Sequence, residues 1–94
     1  MAIVLLNFEI DDYDAFKQRF DEDPAGRREG GAISHAISRA VDNPNDVFIR
    51  TEFPSVEQAK AFRQRLIDSG VLDRVGATMK LGPVVADVAE KVTY

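Results

Sequence analysis

Residues 32–53 read AISHAISRAVDNPNDVFIRTEF: two runs of alternating character, AISHAISRAV and VFIRTEF, separated by DNPND. Alternation with a period of two marks a strand, and a short connection rich in Asp, Asn and Pro folds a chain back on itself, so the stretch predicts a β-hairpin. What flanks the hairpin then decides the fold.

Upstream, residues 2–10 are rich in Ile, Val, Leu and Phe, with polar side chains only at Asn7 and Glu9, as expected of a central strand covered on both faces. DDYDAFKQRFDED follows, with Asp11 or Asp12 as N-cap and Tyr13, Phe16 and Phe20 on one helical stripe, until Pro24 and Gly26 end the pattern. Downstream, PSVEQAKAFRQRLIDSG carries Ser55 with Gln58 three residues later, a capping-box pattern, then Ala59, Phe62 and Leu66 as a buried stripe and Gly70 as a stop. VLDRVGATM reads as a short extra helical turn, and residues 84–94, after Gly82-Pro83, as a long last strand.

The order is therefore β-α-β-β-α-β, an α+β ferredoxin-like arrangement in which a four-stranded antiparallel sheet carries both helices on one face. Ninety-four residues make one domain, spanning 1–94. The uncovered sheet face would leave a large apolar patch, for which dimerisation through that face is the natural cover.

Composition narrows the function classes. At 45% hydrophobic, 30% charged and a net charge of -4, the chain falls in the globular range with no broad basic surface, which argues against nucleic acid as a partner. Without cysteine there are no disulfides, thiolate nucleophiles or thiolate metal sites. The apolar opening MAIVLLNFEI is too short to span a bilayer, lacks a basic start and runs into Asp11 and Asp12, so it reads as a strand of a cytoplasmic protein with no membrane partner.

With these elements in place, the chain resembles the dimeric α/β-barrel superfamily, especially the antibiotic biosynthesis monooxygenase-like domains. The resemblance covers nearly the whole chain. It is carried by Phe16 and Arg19, Gly31, Arg39, Asp42-Asn43-Pro44, EFPSVEQAKAF and Gly82-Pro83. It implies a homodimer; the superfamily includes oxygenases, isomerases, haem-degrading enzymes and members with no known activity. Asn7 matches a functional asparagine of the haem-degrading relatives, but those also need an axial histidine after the second helix and a tryptophan nearby. LIDSGVLDRVGATMKLG has no His and the chain has no Trp, so no cofactor and no metal are expected. Cofactor-free oxygenases of the superfamily instead hold a phenolic polyketide in an apolar cavity, where polar side chains stabilise a substrate anion while oxygen adds.

The candidate catalytic residues are then His35, Asn7 and Arg39, and the candidate substrate-binding residues are Arg50, Glu52 and Phe48. Their co-location depends on hairpin register. With a turn of residues 42–45, His35 stands opposite Glu52 and Arg39 opposite Phe48; one residue more moves His35 opposite Phe53 and sends Glu52 and Arg50 to the other face. A carboxylate beside the imidazole would raise its pKa and make an acid/base dyad, whereas an unpaired Ile-rich setting favours neutral imidazole. The plain alternatives are a histidine that only packs against a partner subunit and arginines engaged in interfacial salt bridges.

Other motifs fail on inspection. DEDPAG opens like a calcium loop, but Ala25 and Ala32 stand where ligands are required. GRREGG lacks the strand-loop-helix context of a phosphate loop, and no nucleophile elbow or Ser-His-Asp order is present. The reading is thus a small homodimer, a cofactor-independent oxygenase or cyclase acting on an aromatic or polyketide-like molecule. The alternative is a non-catalytic ligand-binding or stress-associated dimeric module.

Overall fold

The computed structural model describes residues 1–74 and 77–94, and in it the apolar opening forms β1 (Ala2–Glu9). The Asp12 carboxylate caps the next element, α1 (Tyr13–Asp21), by accepting from the N–H groups of Asp14 and Ala15 at 3.0 and 3.3 Å. The hairpin follows as β2 (Ser34–Arg39) and β3 (Asp46–Phe53), then α2 (Val56–Asp68), the single turn α3 (Val71–Arg74) and β4 (Thr78–Asp87). As the capping-box pattern predicts, Ser55 is the N-cap of α2: its hydroxyl accepts from the Gln58 N–H at 3.2 Å and donates to the Gln58 side-chain oxygen at 3.0 Å.

The strands form one antiparallel sheet in the order β2-β3-β1-β4. Both helices cover the same face, since Val4, Leu6 and Phe8 of β1 and Val47, Ile49 and Phe53 of β3 are buried in one core with Phe16 of α1 and Ala59, Phe62 and Leu66 of α2. Aromatic pairs knit the layers: Phe8 meets Phe16 edge-on at 5.4 Å, and Phe53 meets Phe62 at 5.2 Å. Each such side chain contributes about 1.5–3 kcal/mol by leaving water. This is an α+β ferredoxin-like βαββαβ fold.

The connection from α1 to β2 is fastened from both sides. Asp23, at φ 54, turns its carboxylate onto the N–H groups of Arg27 and Arg28, while the Arg65 guanidinium of α2 donates to the Gly26 carbonyl at 2.7 Å. Gly31 has φ 91, where a side chain is strained, and a Cβ there would stand 2.5 Å from the Gln58 amide nitrogen.

Three expectations need correction. The hairpin loop is residues 41–45: Ala40 N–H donates to the Asp46 carbonyl at 2.9 Å, Asp46 N–H to the Asn43 carbonyl, and the Asn43 side chain accepts from Asn45 N–H. Val41 is therefore pushed out into solvent, 97% exposed. His35 consequently faces Thr51, Arg39 faces Val47 and Glu52 faces Ser34, so His35 opposes neither Glu52 nor Phe53. The last strand starts at Thr78 and stops at Asp87, so it neither begins after Pro83 nor reaches Tyr94. It passes through Gly82-Pro83 because β4 is an edge strand whose pairing with β1 slips between Leu5 and Asn7, where an imino acid with no N–H disrupts no ladder bond. Finally, the extra helical turn ends at Arg74; Thr78 and Met79, expected in it, belong to β4, and its Val75 and Gly76 lie outside the described residues.

Candidate functional site

Alternation along the sheet sorts the six sequence candidates. Asn7, Phe48, Arg50 and Glu52 lie on the face away from the helices; His35 and Arg39 point to the helix side but from the edge strand, where both are exposed. No single pocket collects them.

Asn7, Phe48 and Arg50 do come together, with Leu5, Ala36, Ser38 and Leu81, around a shallow concavity of about 350 Å³ on the open face. The Asn7 amide is committed there to structure: it donates to the Asp46 carboxylate at 2.8 Å and to the Val47 carbonyl at 3.0 Å, holding the start of β3 to β1. That bond, reinforced by Lys80 at 3.3 Å, keeps the Asp46 carboxyl below the ordinary carboxylate value. Glu52 sits further along the face, buried, with the Ser34 hydroxyl 3.5 Å away. Arg39 stacks its guanidinium on the Tyr13 ring at 4.0 Å and donates to the Pro44 carbonyl at 2.7 Å, which ties the edge of the sheet to α1.

His35 has an aromatic neighbour instead of a carboxylate partner. Its ring meets Phe20 edge-on at 5.0 Å, and the Arg27 guanidinium covers Phe20 at 3.6 Å. A polar hollow of about 310 Å³ opens beside it, lined by Asp21, Asp23, Arg27 and Arg28. Partial burial pushes the His35 pKa below its ordinary 6.5, helped by the charges of Arg27 and Lys17 and opposed by those of Asp21 and Asp23. Burial also pushes the Asp23 carboxyl up, but the N–H groups and charges of Arg27 and Arg28 together outweigh it and hold it low. Of the two settings open for His35, the carboxylate dyad is thus absent, because the register gives Glu52 to Ser34.

A partly open cavity lies between sheet and helices. It is a chamber of about 60 Å³ with Leu6, Phe8, Ile49 and Thr51 of the sheet on one side, and Phe16, Phe20, Phe62 and Leu66 of the helices on the other. Val71 and Leu72 of α3 line it as well, and Arg19 and Arg27 also border it. Thr51 is the polar group set deepest, 3% exposed. Among the described residues nothing bonds its hydroxyl, yet no side-chain oxygen is sealed away without a partner, so the hydroxyl looks into the chamber. Sequence reading passed over it, although a threonine occupying the apolar set of β3, in phase with Val47, Ile49 and Phe53, is a signal that alternation alone could have raised. Arg27 stands out in the sequence only as one of two basic residues of GRREGG that could attract an anion; its place beside the chamber depends on the loop before β2. Among the described residues no three His, Asp or Glu side chains converge in a way that could hold a metal ion.

Against solved structures this architecture aligns over its full length. A variant of SnoaB, a cofactor-independent oxygenase from Streptomyces nogalater, superposes with a TM-score of 0.74 at 14% identity, covering 99% of this chain and 97% of that one. The fold is that of the antibiotic biosynthesis monooxygenase-like proteins. A candidate antibiotic biosynthesis monooxygenase from Deinococcus radiodurans matches at TM-score 0.64 and 15% identity over 100% of this chain and 98% of its own. A dimeric ferredoxin-like protein from an uncultured marine organism matches at TM-score 0.64 and 14% identity over 99% and 98%. No protein-family model and no curated protein matches the sequence. Among the described residues no helix is long and apolar enough to cross a membrane.

Proposed function

We propose that the chain is a cytoplasmic homodimer that binds an aromatic small molecule in the chamber between sheet and helices and acts on it as a cofactor-independent oxygenase or cyclase. The observation that carries the reading is the chamber: a nearly all-apolar, aromatic-lined, partly open cavity with one uncommitted hydroxyl, Thr51, and two guanidinium-bearing residues at its border. Ligand sites are mostly apolar with a few polar groups that fix orientation, and dioxygen partitions readily into such surroundings. Arg19 and Arg27 supply positive potential where a phenolate or enolate would form, and SnoaB supports the reading as a neighbour of this fold that works without a cofactor.

Size limits the ligand. A dry cavity of ~150 Å³ is needed to take a benzene ring, so a ring bound in this chamber displaces part of its wall. Val71 and Leu72 are the wall residues with least support, because they stand on a single helical turn whose principal neighbour is α2. One observation favours a second reading as a non-catalytic ligand-binding or stress-associated module: apart from the two arginines, the described lining has no titratable side chain to serve as a general base.

Dimerisation is argued from the open face, where Phe48, Leu81 and Val84 are 44%, 43% and 40% exposed and flank the half-buried Ile3 and Leu5. A second copy packed sheet on sheet covers them through an isologous interface, on the order of 2,000 Å² in total if obligate. Two measurements test the proposal. Sedimentation equilibrium at micromolar concentration should give a dimer. Members of a panel of phenolic polycyclic and polyketide-like compounds should stimulate oxygen uptake or be converted to product; saturable binding with neither uptake nor conversion of any compound would favour the non-catalytic reading, and no binding would sink both.

A further inference from the structure

The open face holds two charged groups that have no counterion among the described residues of one copy. Arg50 projects from the middle of β3 between Leu5 of β1 and Ala36 of β2; it is only half exposed, and among the described residues none of its guanidinium donors is used. Two residues on, the Glu52 carboxylate is buried, 8% exposed, with the Ser34 hydroxyl at 3.5 Å as its hydrogen-bond partner, long for an O–H···O bond. The two side chains share a face, yet no ion pair joins them. The other carboxylates on this face, Glu9 and Asp46, are both satisfied by Lys80 at 3.6 and 3.3 Å.

Resting on the homodimer reading, we infer that Arg50 of each copy pairs with Glu52 of the other, as two symmetry-related ion pairs within the sheet-to-sheet interface. Three arguments converge on this partner. Covering the face with purely apolar surface would bury a guanidinium and a carboxylate unpaired, which is strongly unfavourable. Elimination leaves Glu52 as the uncommitted carboxylate among the described residues of this face. A two-fold axis crossing β3 between the two positions then sets each Arg50 over the other copy's Glu52, and the planar, five-donor guanidinium suits a carboxylate that still has open lone pairs. The pairing also fixes register, because any one-step slip would bring like charges together.

Isologous symmetry gives a test that a contact within one copy would not pass. Arg50→Glu makes positions 50 and 52 both acidic; Glu52→Arg makes both basic. Each variant alone should lose homodimer affinity by about a hundredfold or more through like-charge opposition. Mixed in equal amounts, the two should form a heterodimer of near wild-type affinity, read by native mass spectrometry and sedimentation equilibrium. The double exchange Arg50→Glu with Glu52→Arg should dimerise like the wild type, and it serves where a single variant does not fold alone. Single variants that dimerise as tightly as wild type, or a folded mixture or double exchange that stays monomeric while wild type is dimeric, would overturn the pairing and leave the homodimer standing. A monomeric wild type would overturn both.

Discussion

Replacing Thr51 by valine should move stability and binding in opposite directions. The hydroxyl is 3% exposed and meets no protein partner among the described residues, so folding strips it of most of its water without a hydrogen bond in return. Burying an unpaired hydroxyl costs roughly 1–3 kcal/mol in proteins, and the opening onto the chamber puts Thr51 at or below the lower end. Valine keeps the shape and adds apolar contact with Leu6, Ile49 and Phe62, so the empty protein should gain about 1 kcal/mol, a rise in Tm of about 4–8 °C for a chain of this size. A ligand whose oxygen meets the hydroxyl should lose about tenfold in affinity, whereas an analogue lacking that oxygen should be unaffected. Thermal melts of wild type and Thr51→Val, each with and without a hydroxylated aromatic and its deoxy analogue, read both effects. A lower Tm for the empty variant would mean that the hydroxyl has a structural partner, and equal losses for both ligands would remove Thr51 from the site.

Other elements are equally open to measurement. Phe62→Ala should cost about 3–5 kcal/mol, since the ring is 3% exposed and stacks on Phe53; chemical denaturation that finds under 1 kcal/mol would contradict the packing. Gly31→Ala should destabilise by about 1–2 kcal/mol, because position 31 has φ 91 and the Gln58 side chain fills the space of a Cβ; an unchanged denaturation midpoint would refute this. For His35 the pKa is depressed, so the unfolded chain takes up its proton first as pH falls. Its contribution to stability is intact above pH 6.5 and is lost as pH drops through the folded-state pKa. Relative to His35→Gln, the wild type should therefore lose Tm between pH 7 and pH 5, and a relative gain on acidification would reverse the assignment.

Element types were legible in the sequence because each had a periodic apolar set and its own boundary chemistry: Asp12 before α1, Ser55 before α2, Gly31 before β2. The candidate site was less so, for a reason located in one loop. A hairpin's register hangs on a single residue of loop length, and DNPND gives no local sign that Asn43 will accept from backbone N–H groups through both its own carbonyl and its side chain and draw Val41 into the turn. That one residue decides that His35 meets Thr51 rather than Glu52. The start of the last strand is hidden for a related reason: Gly82-Pro83 looks like a break before a strand, and only the position of β4 at the sheet edge makes it tolerable within one.

The broken ladder of β4 bears on how copies of this chain can accumulate. A sheet with two free edges is exposed to runaway addition of strands from further molecules, the first step toward fibres. Here one edge is the six-residue β2 and the other is kinked twice against β1 around an imino acid, so neither offers a long, flat template for a newcomer. Growth along the hydrogen-bonding direction is frustrated, while the apolar face remains free to associate. Edges of this kind disfavour open-ended growth without restricting contacts made through the faces of the sheet.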